Sequence, residues 1–506
     1  MRPNALPILV LLAVAVLNFA ANIPKILDFN QFAFGDPGWA LTVDAMLDAG
    51  LVPTRDFTYF YGLLTLLVDR AWFAVAGRTP EAVVGLYAVA NLASTVGVIR
   101  VLRAAEVGRW GWLLGAAAIP LLVVPGLIPS PAHALEPALL VNALAFQIRG
   151  RLGWALALAT VAVFVKPSLG YVYGLLLVVH VVTGWPHRWP NRLTQFIPPI
   201  VAAAVLAGVL SAYFGWDAVV RTQLPLGAGK AYEEGNFGFF SGIGRKFWQP
   251  EAPSPAYYLR TPAGVWVLAS LVLLFGTVRA VGRLREPGCQ LIVTCAVLHV
   301  VFVCVFFGNQ WSWIYYPFFP FLGAAVVVDR LGGKAGEASD GAWVWRALGR
   351  VMFGLFLLVD VTWVGFGCAN LWQNHQRSSV TAGLYATGQY ELVWAQVRRA
   401  AEKDRVFVLT RMGCAPLLTP GVEGPRSWCL IRAIAVPAEM DYVREELRTS
   451  DWVLVPNWHD NDLVGWPEFA PLMRSFRPAL RTSWFTLYRR LHGAPAADTT
   501  APPSGQ

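Results

Sequence analysis

The sequence predicts a polytopic α-helical membrane protein with a small extracytoplasmic α/β domain at its C-terminal end. Three observations carry this. The 506-residue chain is 56% hydrophobic and only 14% charged, whereas soluble domains carry about a quarter charged residues. Apolar runs long enough to approach a bilayer's thickness recur between short basic turns. Beyond about residue 369 these runs give way to alternating β-like and charged helical segments. A net charge of +9 in a soluble chain would suggest nucleic acid. Here the basic residues sit at the ends of apolar runs, where they set topology, so membrane lipids are the expected surroundings and no nucleic-acid partner is expected.

The first apolar run, Ala5 to Ala21, has no convincing small-residue cleavage site and leads into Asn22-Ile23-Pro24-Lys25, which reads as a helix exit. It is read as a retained span, not a signal peptide. Eleven spans are predicted, at about 5–23, 82–101, 111–128, 133–148, 152–165, 168–184, 195–214, 262–282, 288–307, 312–329 and 347–368. The run 59–76 is apolar but contains Asp69-Arg70. If it crossed, Arg100, Arg103, Arg109, Arg149 and Arg151 would all face outward. If it lies along the outer surface as an amphipathic helix, those five and Arg188, Arg192, Arg283, Arg285, Arg330, Lys334, Arg346 and Arg350 all face inward. The positive-inside rule selects the second arrangement.

This topology places the N-terminus in the cytoplasm and the C-terminal end outside a plasma membrane, the inner one in a bacterium. Residues 1–368 form the membrane domain, with long outer loops at about 24–81 and 215–261. Residues 369–493 form the outer α/β domain, and the Pro/Ala/Thr/Ser-rich stretch 494–506 reads as disordered. Inside the α/β domain, helices are expected at Glu391 to Lys403 and Met440 to Arg448. Strands are expected at Arg405 to Leu409, Asp451 to Pro456 and Ser483 to Tyr488. Cys289, Cys295 and Cys304 lie in one apolar run, where a small hydrophobe is the ordinary role. Cys414 and Cys429 can pair if the domain is extracytoplasmic.

The candidate chemistry lies on the outer face. Asp36 sits in Gly35-Asp36-Pro37-Gly38, just past the first span. It reads either as the turn or capping carboxylate of the next helix or as an exposed general base. Asp44 and Asp48, one turn apart, read as that helix's wet face. Asp56 is either the partner of adjacent Arg55 or a second candidate acid beside the aromatic run Tyr59-Phe60-Tyr61. Glu136 opens an apolar helix three residues after His133. It suits the helix dipole or an orienting role towards an acceptor. Lys166 interrupts an apolar run after a helix short for a bilayer. It reads as a snorkelling lysine or a counter-charge for a lipid phosphate. Arg245 and Lys246, in a Gly-rich, aromatic-flanked stretch, offer a second phosphate site or an interfacial belt. Trp311, Trp313, Tyr315 and Tyr316 anchor an interface or stack a sugar. No Walker loop, dinucleotide glycine pattern, Ser/His/Asp set or metal-ligand spacing is present in the sequence. No cofactor is required by any motif, and a divalent cation is the only one kept open. A nucleotide-sugar donor would need a cytosolic domain that this topology lacks, so a lipid-linked donor is expected.

With these residues placed, the chain resembles the GT-C superfamily of polyprenyl-phosphate-sugar-dependent glycosyltransferases, in its protein mannosyltransferase and aminoarabinose transferase branch. Asp36 matches the branch's first acid, and Gly50-Leu51-Val52-Pro53-Thr54-Arg55-Asp56-Phe57 with Tyr61-Gly62 matches the end of its juxtamembrane loop. Glu136-Pro137 matches a second acid, Lys166-Pro167 a recurrent lysine, and Tyr315-Tyr316-Pro317 with Pro320 a late outer helix start. The branch often has Asp-Glu at its first site, and here Pro37 follows Asp36. The resemblance implies transfer of a glycosyl group from a polyprenyl-phosphate donor to a glycan, lipid or protein acceptor on the outer face. It implies catalytic roles for Asp36, Asp56 and Glu136. Donor phosphate would meet Lys166, Arg245 and Lys246, and acceptor or sugar would meet His133, Tyr59, Tyr61, Trp311 and Tyr315. The rival expectations are a related ligase or polymerase with a diphosphate-linked donor, and a transporter or flippase without chemistry.

The topology is checked with fused reporters. One placed after Gly333 should read cytoplasmic and one after Gln376 extracytoplasmic; the opposite pair would reverse every face assigned above.

Overall fold

The computed structural model describes residues 27–122, 131–184, 192–223, 262–303, 318–332, 342–375 and most of 378–491, with scattered positions between 9 and 23. The chain divides into two compact units, neither continuous in sequence. The first comprises residues 1–25, 60–68 and 84–372, and the second 26–59, 69–83 and 373–506. Most of the first outer loop, residues 26–59 and 69–83, groups with the C-terminal segment.

In chain order the early helices are α1 (Phe29–Phe34), α2 (Asp36–Asp48), α3 (Leu63–Ala76) and α4 (Pro80–Ala104). Then come α5 (Arg109–Leu122), α6 (Pro131–Ile148), α7 (Leu152–Val165), α8 (Leu169–Thr183), α9 (Ile197–Phe214) and α10 (Trp216–Gln223). They are followed by α11 (Pro262–Ala280), α12 (Pro287–Val301), α13 (Phe318–Leu331) and α14 (Ala342–His375). The stretches Pro80–Ala104, Leu193–Phe214, Gly264–Arg283 and Ala342–Thr362 are long and apolar enough to cross a membrane. Four further apolar helices, Ala132–Ile148, Leu152–Val165, Leu169–Thr183 and Pro287–Val301, are shorter. The expected count of eleven spans is thus not reproduced among the described residues. The physical reason is length: a 14-residue helix such as α7 rises only about 21 Å, against a hydrocarbon core of roughly 30 Å. Hydropathy registers an apolar run but not where its helix stops. Helix α3, within the run 59–76, is also 14 residues long.

The core of the first unit is a continuous apolar cluster drawn from α4 to α8 and α11 to α14, with Phe319, Phe321 and Phe356 almost wholly buried. Close approach is enforced by small residues: a Cβ on Gly276 of α11 would lie 2.3 Å from Val327 of α13. Some polar groups within this core are bonded to each other. Tyr173 donates to Gln147 Oε1 at 2.5 Å, and Gln147 Nε2 donates to Thr294 Oγ1 at 3.0 Å. Asp329, near the end of α13, accepts from the backbone N–H groups of Gly108 and Gly111 at 2.6 and 2.9 Å. It thereby caps the start of α5 from another helix.

The second unit is an α/β body. A hairpin of β1 (Ser378–Thr381) and β2 (Leu384–Ala386) precedes α15 (Gln389–Ala401), β3 (Val406–Val408) and the short α16 (Ala415–Leu418). Next come α17 (Pro437–Thr449), β4 (Trp452–Pro456), the short α18 (Ala470–Met473), β5 (Phe476–Arg481) and β6 (Phe485–Arg490). The larger sheet has the order β3-β4-β6-β5; β3 and β4 run parallel and the other pairs antiparallel. The expected helices and the three expected strands are present, shifted by a few residues. Strand β5 was not expected, because Phe476-Arg-Pro-Ala-Leu-Arg reads poorly as a strand. It pairs only with β6, and a sheet edge tolerates the missing N–H of Pro478; the register also shifts beside that proline.

The first loop is tied into this body at three points. The Cys414 thiol bonds to the Phe32 carbonyl at 3.3 Å, and Thr42 Oγ1 donates to the Gly413 carbonyl at 3.1 Å. Cys414 is a buried free thiol among the described residues, pushed up to about 12 by burial; Cys429, the partner considered from sequence, lies outside the described residues. The third tie is Glu439 in the first turn of α17, wholly buried. Its Oε2 accepts from Thr58 Oγ1 at 2.6 Å and from Thr58 N at 3.3 Å, and its Oε1 accepts from Ser427 Oγ at 2.5 Å.

Burial raises the Glu439 carboxyl from its ordinary 4.5 to about 7 against the lowering effect of these bonds. The folded chain therefore holds this proton more tightly than the unfolded one, and its contribution to stability, present below about 4.5, is lost as pH rises through about 7. The effect is on the order of a few kcal/mol. Thermal unfolding of the full chain in detergent should show stability falling over that interval, and Glu439→Gln should flatten the slope. An unchanged slope in the variant would remove Glu439 as its source.

Candidate functional site

The first unit brings four of the candidate residues together around the turn between α7 and α8. Helix α7 ends at Val165, Lys166 leaves it in an extended conformation, and Ser168 precedes α8. Segment 60–65 packs on this helix end. Gly62 N–H and Thr65 Oγ1 both donate to the Val165 carbonyl, at 3.0 and 2.9 Å. They satisfy an acceptor that the terminating helix leaves unbonded. Only glycine fits here, because a Cβ on residue 62 would lie 1.9 Å from the Phe164 carbonyl oxygen.

Glu136, on α6 and wholly buried, faces the same turn. Its Oε1 accepts from Ser168 Oγ at 2.8 Å, and the backbone N–H groups of Leu169 and Gly170 also bond to the carboxyl. Glu136 thus caps α8 from a neighbouring helix, placing an anion at the positive end of a helix dipole. Lys166 Nζ lies 3.8 Å from Glu136 Oε2, with both side chains buried. That distance makes an ion contact, longer than an N–H···O bond. Tyr61 closes the group: its hydroxyl is 3.5 Å from His133 Nε2, and the rings meet edge to face with centroids 5.6 Å apart. His133 and Glu136 are three residues apart and share a face of α6. Pro137 within α6 removes the helical donor to the His133 carbonyl. The donors converging on Glu136 suit a carboxylate that holds Lys166 and the 166–170 turn in place.

The other described candidates lie in the second unit. Asp36 is the first residue of α2, half-buried, with Pro37 following. Asp56 accepts from Arg55 Nε at 3.0 Å, from Arg55 Nη2 at 2.7 Å and from Val52 N–H at 2.7 Å. The arginine bonds hold its carboxyl below the usual range, so the Arg55 partnership considered from sequence is present.

Asp44 is a correction. It was expected on the wet face of α2 but is 4% exposed. Arg70 Nη1 and Arg78 Nε clamp it at 3.3 and 2.6 Å. The same two arginines reach Asp48, the more exposed of the pair, and the Arg78 bond lowers its carboxyl. Asp69 is buried and neither carboxyl oxygen has a hydrogen-bond partner among the described residues. Burial first, then the charge of Asp44, raise it far above the usual carboxylate range. Tyr59 is buried against the Trp39 ring at 6.2 Å, and burial and Asp69 raise its hydroxyl. Arg245, Lys246, Trp311 and Tyr315 lie outside the described residues. No group of three metal-ligating side chains occurs among the described residues.

Sequence reasoning missed Ser168, Asp69 and Glu439. Ser168 was legible in principle, since a serine before a helix is an N-cap signal. Here its hydroxyl is turned to Glu136 instead. The burial of Asp69 and the partners of Glu439 carry no local sequence signal.

No protein-family model matches the chain, and no characterised protein shows significant similarity to it.

The Glu136–Lys166 pair sets up a stability test. Breaking a buried pair on one side typically costs about 3–5 kcal/mol. Lys166→Met alone and Glu136→Gln alone should each lower the melting temperature of the detergent-solubilised chain, and the double variant should lose less than the sum. Strict additivity would mean that the two do not interact.

Proposed function

We propose that the protein is an integral membrane glycosyltransferase that moves a sugar from a polyprenyl monophosphate to an acceptor hydroxyl on the outer face. The observation that carries this reading is the buried group of Tyr61, His133, Glu136 and Lys166 at the α7–α8 turn. Ionisable side chains are costly among apolar helices and mark function by default. In the reaction the bond between sugar C1 and phosphate oxygen breaks, and its electron pair leaves with the phosphate. A bond forms from C1 to the acceptor oxygen, whose proton passes to a base. Lys166, held by Glu136, stabilises the charge on the departing phosphate, while His133 and Tyr61 offer hydrogen bonds to hydroxyls. Asp36 is the base of this reading, from its place after the first span and the resemblance of its loop. Asp56 is less suited, because its oxygens are taken by Arg55 and Val52 N–H.

A transporter reading draws on Asp360. It is buried in α14, and its Oδ1 has no hydrogen-bond partner among the described residues.

Proteoliposomes loaded with lipid-linked donor separate the two readings. Asp36→Asn should cut glycosyl transfer by on the order of 10²–10⁴ with normal membrane insertion, and Asp56→Asn should cost less. Lys166→Ala should raise the donor KM about tenfold or more. Sugar-lipid translocation without transfer, abolished by Asp360→Asn, would replace the enzyme reading with the transporter one. Full activity of Asp36→Asn with loss in Asp56→Asn would move the base to Asp56.

A further inference from the structure

A second feature lies at the other end of the α6–α7 hairpin. Where α6 hands over to α7, a cleft of about 330 Å³ opens between Arg151, Gly153 and Trp154 and the turn carrying Thr194, Gln195 and Pro198. That is room for about ten waters. It is remote from the group at the α7–α8 turn, because Glu136 and Ile148 are twelve residues apart on α6, about 18 Å along the helix.

Three observations define its chemistry. Arg149 and Arg151 are exposed, and their like charges act on Arg100, which among the described residues meets neutral groups, Asn142 at 2.9 Å and the Phe146 ring. Among the described residues no carboxylate pairs with any of the three arginines. Such a cluster is complementary to an anion. The surface beside the cleft is apolar and open: Trp154 of its lining, and Leu193 and Ile197 next in sequence to its lining residues Thr194 and Pro198, are 58%, 83% and 58% exposed. The start of α7 is not the attractor, because its Gly153 N–H is already taken by Gln195 Oε1 at 2.8 Å.

We infer that this cleft binds one anionic phospholipid, its phosphate on Arg151 and Arg149 and its acyl chains along Trp154, Leu193 and Ile197. A soluble anion would account for the arginines but not for the apolar surface beside the cleft, and a zwitterionic lipid would leave the clustered positive charge uncompensated. By the positive-inside reading the site faces the cytoplasmic leaflet, where basic pockets between helices meet anionic headgroups.

The test is native mass spectrometry of the full chain in non-ionic detergent, titrated with phosphatidylglycerol, phosphatidylcholine or glycerol phosphate. Phosphatidylglycerol should be retained as a single adduct well above phosphatidylcholine, with glycerol phosphate unable to displace it at equal concentration. Arg151→Gln should weaken retention about fivefold and Arg149→Gln/Arg151→Gln further, whereas Arg151→Lys should keep most of it. Trp154→Ala should weaken retention without changing the preference for the anionic lipid. Equal retention of phosphatidylcholine, or a double variant that binds like the parent, overturns the proposal. Displacement by glycerol phosphate makes the cleft a free-phosphate site and overturns it as well.

Discussion

A helix that ends inside an apolar layer leaves its terminal N–H and C=O groups without water, and each must find a partner in the protein. Much of the first unit follows from this constraint. Helices α7 and α8 are too short to carry both ends to water across a full bilayer. Their shared turn is accordingly sealed by side chains from elsewhere. Glu136 of α6 takes the N–H groups that open α8, and Gly62 and Thr65 cover the carbonyl that closes α7. Asp329 of α13 caps the start of α5 as well, at an end that is open to solvent.

The second unit solves a different problem with the same means. A loop of about thirty residues would be expensive to order by itself. Here it is fastened to the α/β body by Cys414, Thr42 and the buried Glu439. The Asp44–Asp48–Arg70–Arg78 clamp fixes α2 against the later part of α3 and the segment that follows it. Neither fastening is a catalytic arrangement. Both give the loop a defined conformation, and it is on this loop that Asp36 and Asp56 are displayed.

The two clusters of charge in the first unit differ in a way that bears on what each can do. At the α7–α8 turn the charges are buried and largely neutralise one another, so Lys166 is held in one place. At the α6–α7 junction the arginines are exposed and like-charged, so they attract a counter-ion from outside. Positioning chemistry suits the first and lipid recognition the second.

Much of this was written into the sequence alone. Apolar runs bounded by arginine made a helical membrane protein, and alternation after residue 369 made an α/β body, because periodicity and charge are local properties. Tyr61, His133, Glu136 and Lys166 could also be singled out, since a charged or polar side chain in an apolar run is conspicuous wherever it falls. Only tertiary structure decided what those residues touch. It turned Asp44 from a wet face into a buried clamp, made Glu439 a partner of Thr58 across 381 positions, and let the proline-bearing β5 serve as an edge. It also set where the short helices stop. Hydropathy averages over a window, whereas a helix end is fixed by the particular group that satisfies its last N–H or C=O, and that group comes from a distant part of the chain.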